Sequence, residues 1–414
     1  MSTPTRRASP TLVAVGVLLA LVAVLLVWQR PWAATDPSAT VDESELDARL
    51  RSQLTTAAEA TDAATWAAGF GPGGSEVGAR TWAARDALGV GDVSLTLVSV
   101  GAAPDRDDGT RSAVVRVAWT ATDDALLGPA EASTSTVAAR VRSAAGSDAV
   151  DVLGFEPRDD GTASDPLPLW LGGEVTVGGT DAVPVVTVAT GEGAGVPDAA
   201  ALAAVGQAQV SGLTGSTARA AVIVPSSAEA SAALLGRTPD ALGAVAGVAT
   251  NLPGSSLPVV VLNPAEFARM DPRGRQVVVT HELTHALTGV VGTSAPTWLV
   301  EGFADWVALH DDTAPLLTSA GALLSQVARS GPPAALPTDE DLAGPTSGAA
   351  YQGAWLSLVV LARERGGDAA VLAVYRAVVS GTPLDEALAG VGTSVDELTS
   401  QWRDYLVYSA STVS

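Results

Sequence analysis

The chain has 414 residues, a length typical of two or three domains, and 47% of them are hydrophobic against 16% charged. Its formal net charge is −22 and no polybasic stretch is present, which argues against a nucleic-acid partner because phosphate binding needs a basic face. Cysteine is absent, which excludes disulfides, thiolate metal sites and cysteine nucleophiles at once.

An uncharged apolar run lies near the N-terminus, at Thr11–Trp28. As a helix it would be about 27 Å long, enough to cross a thin bilayer. Two arginines precede it and acidic residues follow, so the positive-inside rule predicts that residues 1–10 are cytoplasmic and the body extracytoplasmic. A cleaved signal peptide is the alternative. We favour a retained single-pass anchor in the cell membrane, because the run is long for a signal peptide and Trp32 is too bulky for a cleavage site.

Residues 29–44 are small, polar and proline-containing, as is typical of a linker. Residues 45–192 are predicted to form an α+β accessory domain, because helical periodicity up to Leu88 is followed by period-two alternation. The expected strands are Val93–Val100, Ala113–Thr120, Thr134–Val141, Val150–Phe155, Glu174–Val177 and Val183–Thr190. Helices followed by an antiparallel sheet resemble the cystatin-like and NTF2-like folds. The block carries no recognisable chemistry, and we interpret it as an accessory domain or spacer.

The pattern changes again at about residue 196, where a second domain is predicted. Residues 196–312 alternate between helices and short strands, and residues 313–414 are expected to form a mostly helical C-terminal subdomain. The expected strands of the second domain are Ala220–Val224, Val245–Thr250 and Leu257–Leu262. They would form a small sheet just before the segment that carries the chemistry.

Two of the three histidines in the chain occur in the pentapeptide His281-Glu282-Leu283-Thr284-His285. Residues four apart lie on one helix face, so both imidazoles can bind one metal ion. Glu282 lies beside them, where its carboxylate can take a proton from water. The alternative is a core helix with two hydrogen-bonded histidines.

A catalytic zinc usually has three protein ligands, and cysteine is not available here. Position 291 is valine, where the metzincin pattern requires histidine, so a carboxylate is the remaining source. Glu301 lies in an apolar segment beyond the second histidine, and a helix–loop–helix arrangement would return it to the metal. Burying a glutamate in such a segment is costly, which favours a metal partner over a solvated position. Asp305, one turn further on the same face, could accept the ring N–H of a ligating histidine.

The pattern His281-Glu-x-x-His285 followed by Glu301-x-x-x-Asp305 resembles the gluzincin metallopeptidases, which include thermolysin-like and aminopeptidase-like enzymes. The longer run resembles their peptidase MA-like branch, found in secreted and membrane-anchored bacterial proteins. The resemblance covers about residues 215–380, and its matching segments are Ala246–Thr250, Leu257–Phe267, Val277–Leu287 and Trp298–Trp306.

This resemblance implies a zincin-like catalytic fold, with Zn²⁺ held by His281, His285 and Glu301 and with Glu282 as general base. It implies hydrolysis of a peptide bond in a peptide or protein substrate. The segment that anchors a free substrate N-terminus in aminopeptidases is absent here, so we expect an endopeptidase.

Tyr351 lies in a Tyr-x-Gly segment that is similar, with one residue fewer, to the Tyr-x-x-Gly segment of the aminopeptidase branch. The resemblance implies that its phenol stabilises the tetrahedral intermediate, and the alternative is a tyrosine packed at a helix start.

His310, at a predicted helix end, is expected to face solvent, with substrate contact as the alternative. The strand Leu257–Leu262 is the expected edge that pairs with an extended substrate.

The sequence therefore predicts an α+β protein with an N-terminal transmembrane helix, an accessory domain and an extracytoplasmic zinc peptidase domain. The alternative function is that of a non-catalytic surface protein, which keeps the zinc-binding fold as a binding module of the cell envelope.

Overall fold

The computed structural model describes residues 37–101, 108–144, 148–158, 165–189, 195–196, 198–290, 293–343 and 347–412. The chain divides into two compact units, residues 1–48 and 49–414, and the second contains both sheets. The predicted anchor at Thr11–Trp28 and the predicted cytoplasmic residues 1–10 lie outside the described stretches. None of the described helices is long and apolar enough to cross a membrane.

Among the described residues, three α-helices precede the first sheet. They are α1 (Pro37–Ala58), α2 (Ala63–Ala68) and α3 (Ser75–Leu88). α1 begins inside the predicted linker, residues 29–44, and corrects its boundary. Pro37 is tolerated in the first turn of the helix, where its missing N–H is not needed. α1 contains no other proline and no glycine.

The first sheet has four antiparallel strands in the order β1-β2-β3-β4. They are β1 (Val90–Val100), β2 (Arg111–Ala121), β3 (Ala130–Ser143) and β4 (Val150–Pro157). Alternation sends Val93, Leu95 and Leu97 into the core, while the residues between them are exposed. Aromatic side chains fill this core, where the rings of Trp66 and Phe70 have centroids 5.4 Å apart. The order of helices followed by an antiparallel sheet is confirmed for these four strands.

The outer edge of β4 is covered at one point by a side chain of α1. The Gln53 amide accepts a hydrogen bond from the Val150 N–H at 2.7 Å and donates one to the Val150 carbonyl at 3.0 Å. Gln53 thus pairs with β4 as a neighbouring strand would, and satisfies backbone groups that an edge strand leaves open.

The second sheet has five strands in the order β5-β6-β7-β9-β8. They are β5 (Glu174–Gly179), β6 (Pro184–Ala189), β7 (Ala221–Pro225), β8 (Gly247–Thr250) and β9 (Val259–Leu262). The pairs β6-β7 and β7-β9 are parallel, and the outer pairs β5-β6 and β8-β9 are antiparallel. β7 and β9 are buried along their whole length, as expected for central strands covered on both faces.

Two sequence expectations about strand pairing were wrong. The strands expected at Glu174–Val177 and Val183–Thr190 belong to the second sheet, because β6 pairs in parallel with β7. Residues 174–189 therefore do not lie in the first sheet, although the predicted accessory domain, 45–192, includes them. The strand expected at Leu257–Leu262 is β9, which is interior, and its hairpin partner β8 forms the edge.

Helices pack around the second sheet, and most of them form one hydrophobic core with it. They are α4 (Ala199–Thr214), α5 (Ala228–Leu234), α6 (Pro239–Leu242), α7 (Pro264–Phe267), α8 (Pro272–Leu287), α9 (Thr297–Ala308), α10 (Leu316–Ser330), α11 (Asp339–Ala343), α12 (Ser347–Arg365), α13 (Asp368–Val379), α14 (Leu384–Gly390) and α15 (Val395–Thr412). α8 contacts α4, α9 and β8, and α9 contacts α12, so these elements surround the site described next.

Candidate metal centre

The helix α8 carries the histidine pair in its last two turns. Its start is fixed by Asp271, whose carboxylate accepts a hydrogen bond from the Gly274 N–H at 2.7 Å. Val279 and Leu283 are fully buried and attach the helix to the core. His281 and His285, at the edge of this buried face, are directed towards α9.

Three ligand atoms converge between α8 and α9. The Nε2 atoms of His281 and His285 lie 3.1 Å apart, and the Glu301 Oε2 lies 3.1 Å from the first and 3.5 Å from the second. Zinc–ligand bonds of 2.0–2.1 Å in a tetrahedron place the ligand atoms roughly 3.3 Å apart. The observed triangle has this size, and the donor set is one that zinc takes, so the three residues fit a zinc ion.

Asp305 fixes the orientation of the first histidine. Its Oδ1 lies 2.8 Å from the Nδ1 of His281, which places the ring N–H on Nδ1 and leaves the Nε2 lone pair for a cation. The Nδ1 atom of His285 is buried and has no hydrogen-bond partner among the described residues. The second histidine is therefore held by packing, and the first by a carboxylate.

The charges around this triangle oppose the effect of burial. Burial disfavours a charged imidazole, but the Asp305 and Glu301 carboxylates outweigh it and raise the pKa of His281 well above its ordinary value. Burial likewise raises the pKa of Glu301, yet hydrogen bonds from both histidines hold that pKa well below its usual range. The cluster therefore favours a positive charge at its centre.

The carboxylate of Glu282 lies beside the triangle and contacts the edge strand. Its Oε2 accepts a hydrogen bond from the Ala249 N–H of β8 at 2.8 Å. Glu282 and both histidines line a cavity of about 390 Å³. Val245 and Val248 also line this cavity. A molecule in this cavity can touch the three ligand residues, Glu282 and β8 together.

Tyr351 of α12 lines the same cavity. Burial and the carboxylates of Glu301, Asp305 and Glu282 raise the pKa of Tyr351 to about 12. Its phenol is therefore protonated at neutral pH and can donate a hydrogen bond into the cavity. The structure thus brings all the predicted site residues together: His281, Glu282, His285, Glu301, Asp305 and Tyr351.

Tyr375 of α13, which sequence reasoning missed, connects α8 and α9, the two helices that carry the triangle of ligand atoms. Its ring stacks on Phe303 of α9 with centroids 3.6 Å apart and planes at 12°. Its hydroxyl lies 2.8 Å from the Thr288 Oγ1 at the end of α8. Thr288 uses its own proton on the Thr284 carbonyl, so Tyr375 donates. No pattern in the sequence signals this long-range contact.

His310 does not face solvent as expected. Its side chain is 23% exposed, stands edge-on to Trp306 with ring centroids 5.0 Å apart, and has its Nε2 3.5 Å from a carboxylate oxygen of Asp368. α13 begins beside the end of α9 and covers this histidine, which does not line the cavity.

Comparison with known protein families, with curated proteins and with solved structures finds no match to this chain. What the protein does must therefore be inferred from the residues of the site and from their geometry.

Replacing Tyr375 with phenylalanine keeps the stacked ring and removes the hydrogen bond to Thr288. We expect the free energy of unfolding to fall by about 1 kcal/mol in chemical denaturation. Tyr408→Phe is the control, because that side chain is 65% exposed and its loss should change nothing. In a double-mutant cycle with Thr288→Ala the two effects should not add, and simple additivity would contradict the contact.

Proposed function

We propose that the protein is a zinc-dependent endopeptidase. The observation that supports this most is the triangle of three ligand atoms from His281, His285 and Glu301, 3.1–3.5 Å apart, beside the carboxylate of Glu282 in one cavity. Metal ligands alone would also suit a structural site, but a structural zinc is closed by four protein ligands. Three ligands next to a carboxylate and a cavity are the arrangement of a hydrolase.

Zinc held by these three residues would supply a Lewis acid and bring the pKa of a water molecule towards neutrality. Glu282 would accept a proton from the water as the water oxygen bonds to the carbon of the peptide carbonyl. When the carbon–nitrogen bond breaks, Glu282 would return that proton to the leaving amine. Asp305 keeps His281 in the tautomer that binds metal throughout.

Tyr351 would stabilise the oxyanion that forms from the carbonyl. A neutral phenol that lines the same cavity can donate a hydrogen bond to this oxygen, and its raised pKa keeps the proton in place. One such donor typically contributes about 3 kcal/mol to lowering the barrier.

The edge strand β8 would bind the substrate backbone. An edge strand has backbone groups without a strand partner. The Ala249 N–H is already bound to Glu282, and an extended peptide can pair with the outward groups that Glu282 does not use. Pairing of this kind recognises the middle of a chain and needs no free terminus, which supports an endopeptidase.

We also propose that Thr11–Trp28 anchors the protein in the membrane with the site outside, as the charges around that segment indicate.

The first prediction concerns the metal. Elemental mass spectrometry of the purified protein should find about one zinc per chain. Asp305→Asn should weaken zinc binding by about 10–100-fold in a chelator competition, and Glu301→Ala should weaken it further. Glu340→Ala, which changes an exposed carboxylate, is the control. A folded wild-type protein that takes up no zinc after reconstitution would refute the metal site.

The second prediction concerns the general base. Glu282→Gln should keep its zinc and lose hydrolysis of an unfolded protein substrate by about 10²–10⁴-fold, because the amide cannot accept the proton. Glu340→Gln is the matched control. Full activity in zinc-loaded Glu282→Gln would make the mechanism wrong. A zinc-loaded wild-type protein that cleaves no unfolded protein would indicate a binding protein instead.

The third prediction concerns Tyr351. Tyr351→Phe should lower kcat by about 10²-fold and leave KM and zinc content nearly unchanged, since the phenol acts only on the developing charge. Tyr408→Phe is again the control. A raised KM with normal kcat would show that Tyr351 binds the substrate and does not stabilise the transition state.

A further inference from the structure

The connector between β8 and β9, residues 251–258, is attached to the first sheet. The Ser256 and Leu257 N–H groups both donate to the carbonyl of Leu127 at 3.1 Å, and the Ser255 Oγ lies 3.1 Å from the same oxygen. Leu127 belongs to the loop between β2 and β3. A single carbonyl in a loop of the first sheet therefore binds two consecutive N–H groups of the connector, while the Ser255 hydroxyl beside it lies closer, at 2.7 Å, to the Leu257 carbonyl.

The packing at this junction leaves no free space. A Cβ added to Gly254 would lie 2.2 Å from the indole Nε1 of Trp119 in β2. A Cβ added to Gly128 would lie 2.2 Å from the Ser256 Oγ, and both glycines have φ near +80°. The connector cannot shift towards the first sheet, and its hydrogen bonds prevent it from moving away.

The same hairpin holds the carboxylate of Glu282. Ala249 of strand β8, two residues before the connector begins, donates its N–H to the Glu282 Oε2 at 2.8 Å. Two residues earlier, a Cβ on Gly247 would lie 2.9 Å from the Glu282 Cγ, so β8 lies directly on this side chain. The position of β8 therefore determines where the carboxylate lies.

We propose that the first sheet is a positioning element of the active site: through Leu127, Gly128 and Trp119 it sets the place of β8 and, through the Ala249 N–H, that of the Glu282 carboxylate. This rests on the proposed function in so far as Glu282 is the base. The metal ligands lie on α8 and α9, and although β8 packs on α8, its hydrogen bond there is to Glu282, whereas His281 is oriented by Asp305 of α9. A disturbed junction should therefore impair proton transfer and spare zinc binding.

The test is Gly128→Ala in the full-length protein, which pushes the new methyl group against Ser256. The double variant Gly128→Ala/Ser256→Ala is the rescue, because it removes the oxygen that the methyl group meets and leaves only contacts of 3.5 Å or more. Gly109→Ala is the matched control: its φ is +74° against +78° for Gly128, and nothing lies within 4 Å of its Cβ position. It carries the same backbone strain without the contact.

Two quantities are measured beside zinc content: the hydrogen–deuterium exchange of the peptide that contains Ala249, and kcat with KM. In Gly128→Ala we expect exchange at Ala249 to accelerate at least about tenfold. We expect kcat to fall by about 10–100-fold, because a misplacement of about 1 Å can cost that much. Zinc content should stay at the wild-type level, the rescue should restore both quantities, and Gly109→Ala should match the wild type.

Unchanged exchange and unchanged kcat both in Gly128→Ala and in Gly254→Ala, whose methyl group meets the rigid indole of Trp119, would overturn the proposal. So would a parallel loss of zinc, which would indicate general destabilisation. If the wild type hydrolyses nothing, the proposed function fails, and the exchange of Ala249 still decides whether the first sheet positions β8. If Gly128→Ala does not fold, the milder Ser255→Ala takes its place, with smaller changes expected in the same two quantities and with the same outcomes decisive.

Discussion

The rest of the site is arranged around three polar atoms, the Nε2 atoms of His281 and His285 and the Oε2 atom of Glu301, which lie 3.1–3.5 Å from one another and favour positive charge among them, from a proton or from a cation. Neighbouring side chains hold these atoms in place. Asp305 orients one ring, and Tyr375 joins the two helices that carry the cluster, through Thr288 at the end of α8 and through Phe303 within α9.

The site could be predicted from the sequence because most of it follows from helix geometry. Two histidines four residues apart must share a face, and Asp305 must lie one turn beyond Glu301. The short connection between α8 and α9 brings α9 back along α8. Glu301 could therefore be predicted to approach the two histidines without knowledge of distant residues. The helices themselves were predicted from periodicity, except for α6, α7 and α11, which have four or five residues and are too short to show one.

What could not be predicted depends on contacts between distant segments. Alternation identified Val183–Thr190 as a strand, but the same pattern fits either sheet, and only pairing with β7 decides between them. The edge position of β8 depends on the order of five strands. The hydrogen bond from the Ala249 N–H to Glu282 could not be predicted either, because every residue except proline carries a backbone N–H and nothing in the sequence marks this one. His310 was misjudged because the helix that covers it lies nearly sixty residues further along the chain.

The contact between Leu127 and Ser255 joins residues 128 positions apart, and this separation has a consequence for synthesis. Chains emerge N-terminus first at about 5–20 residues per second, so the carbonyl is exposed for roughly 6–26 seconds before its donors appear. During that interval the first sheet can fold, since its four strands are contiguous in sequence. The Glu282 carboxylate gains its hydrogen bond from Ala249 only after the later hairpin has been made and has met the first sheet. A chain of this design completes its site late, after the first sheet has had time to fold.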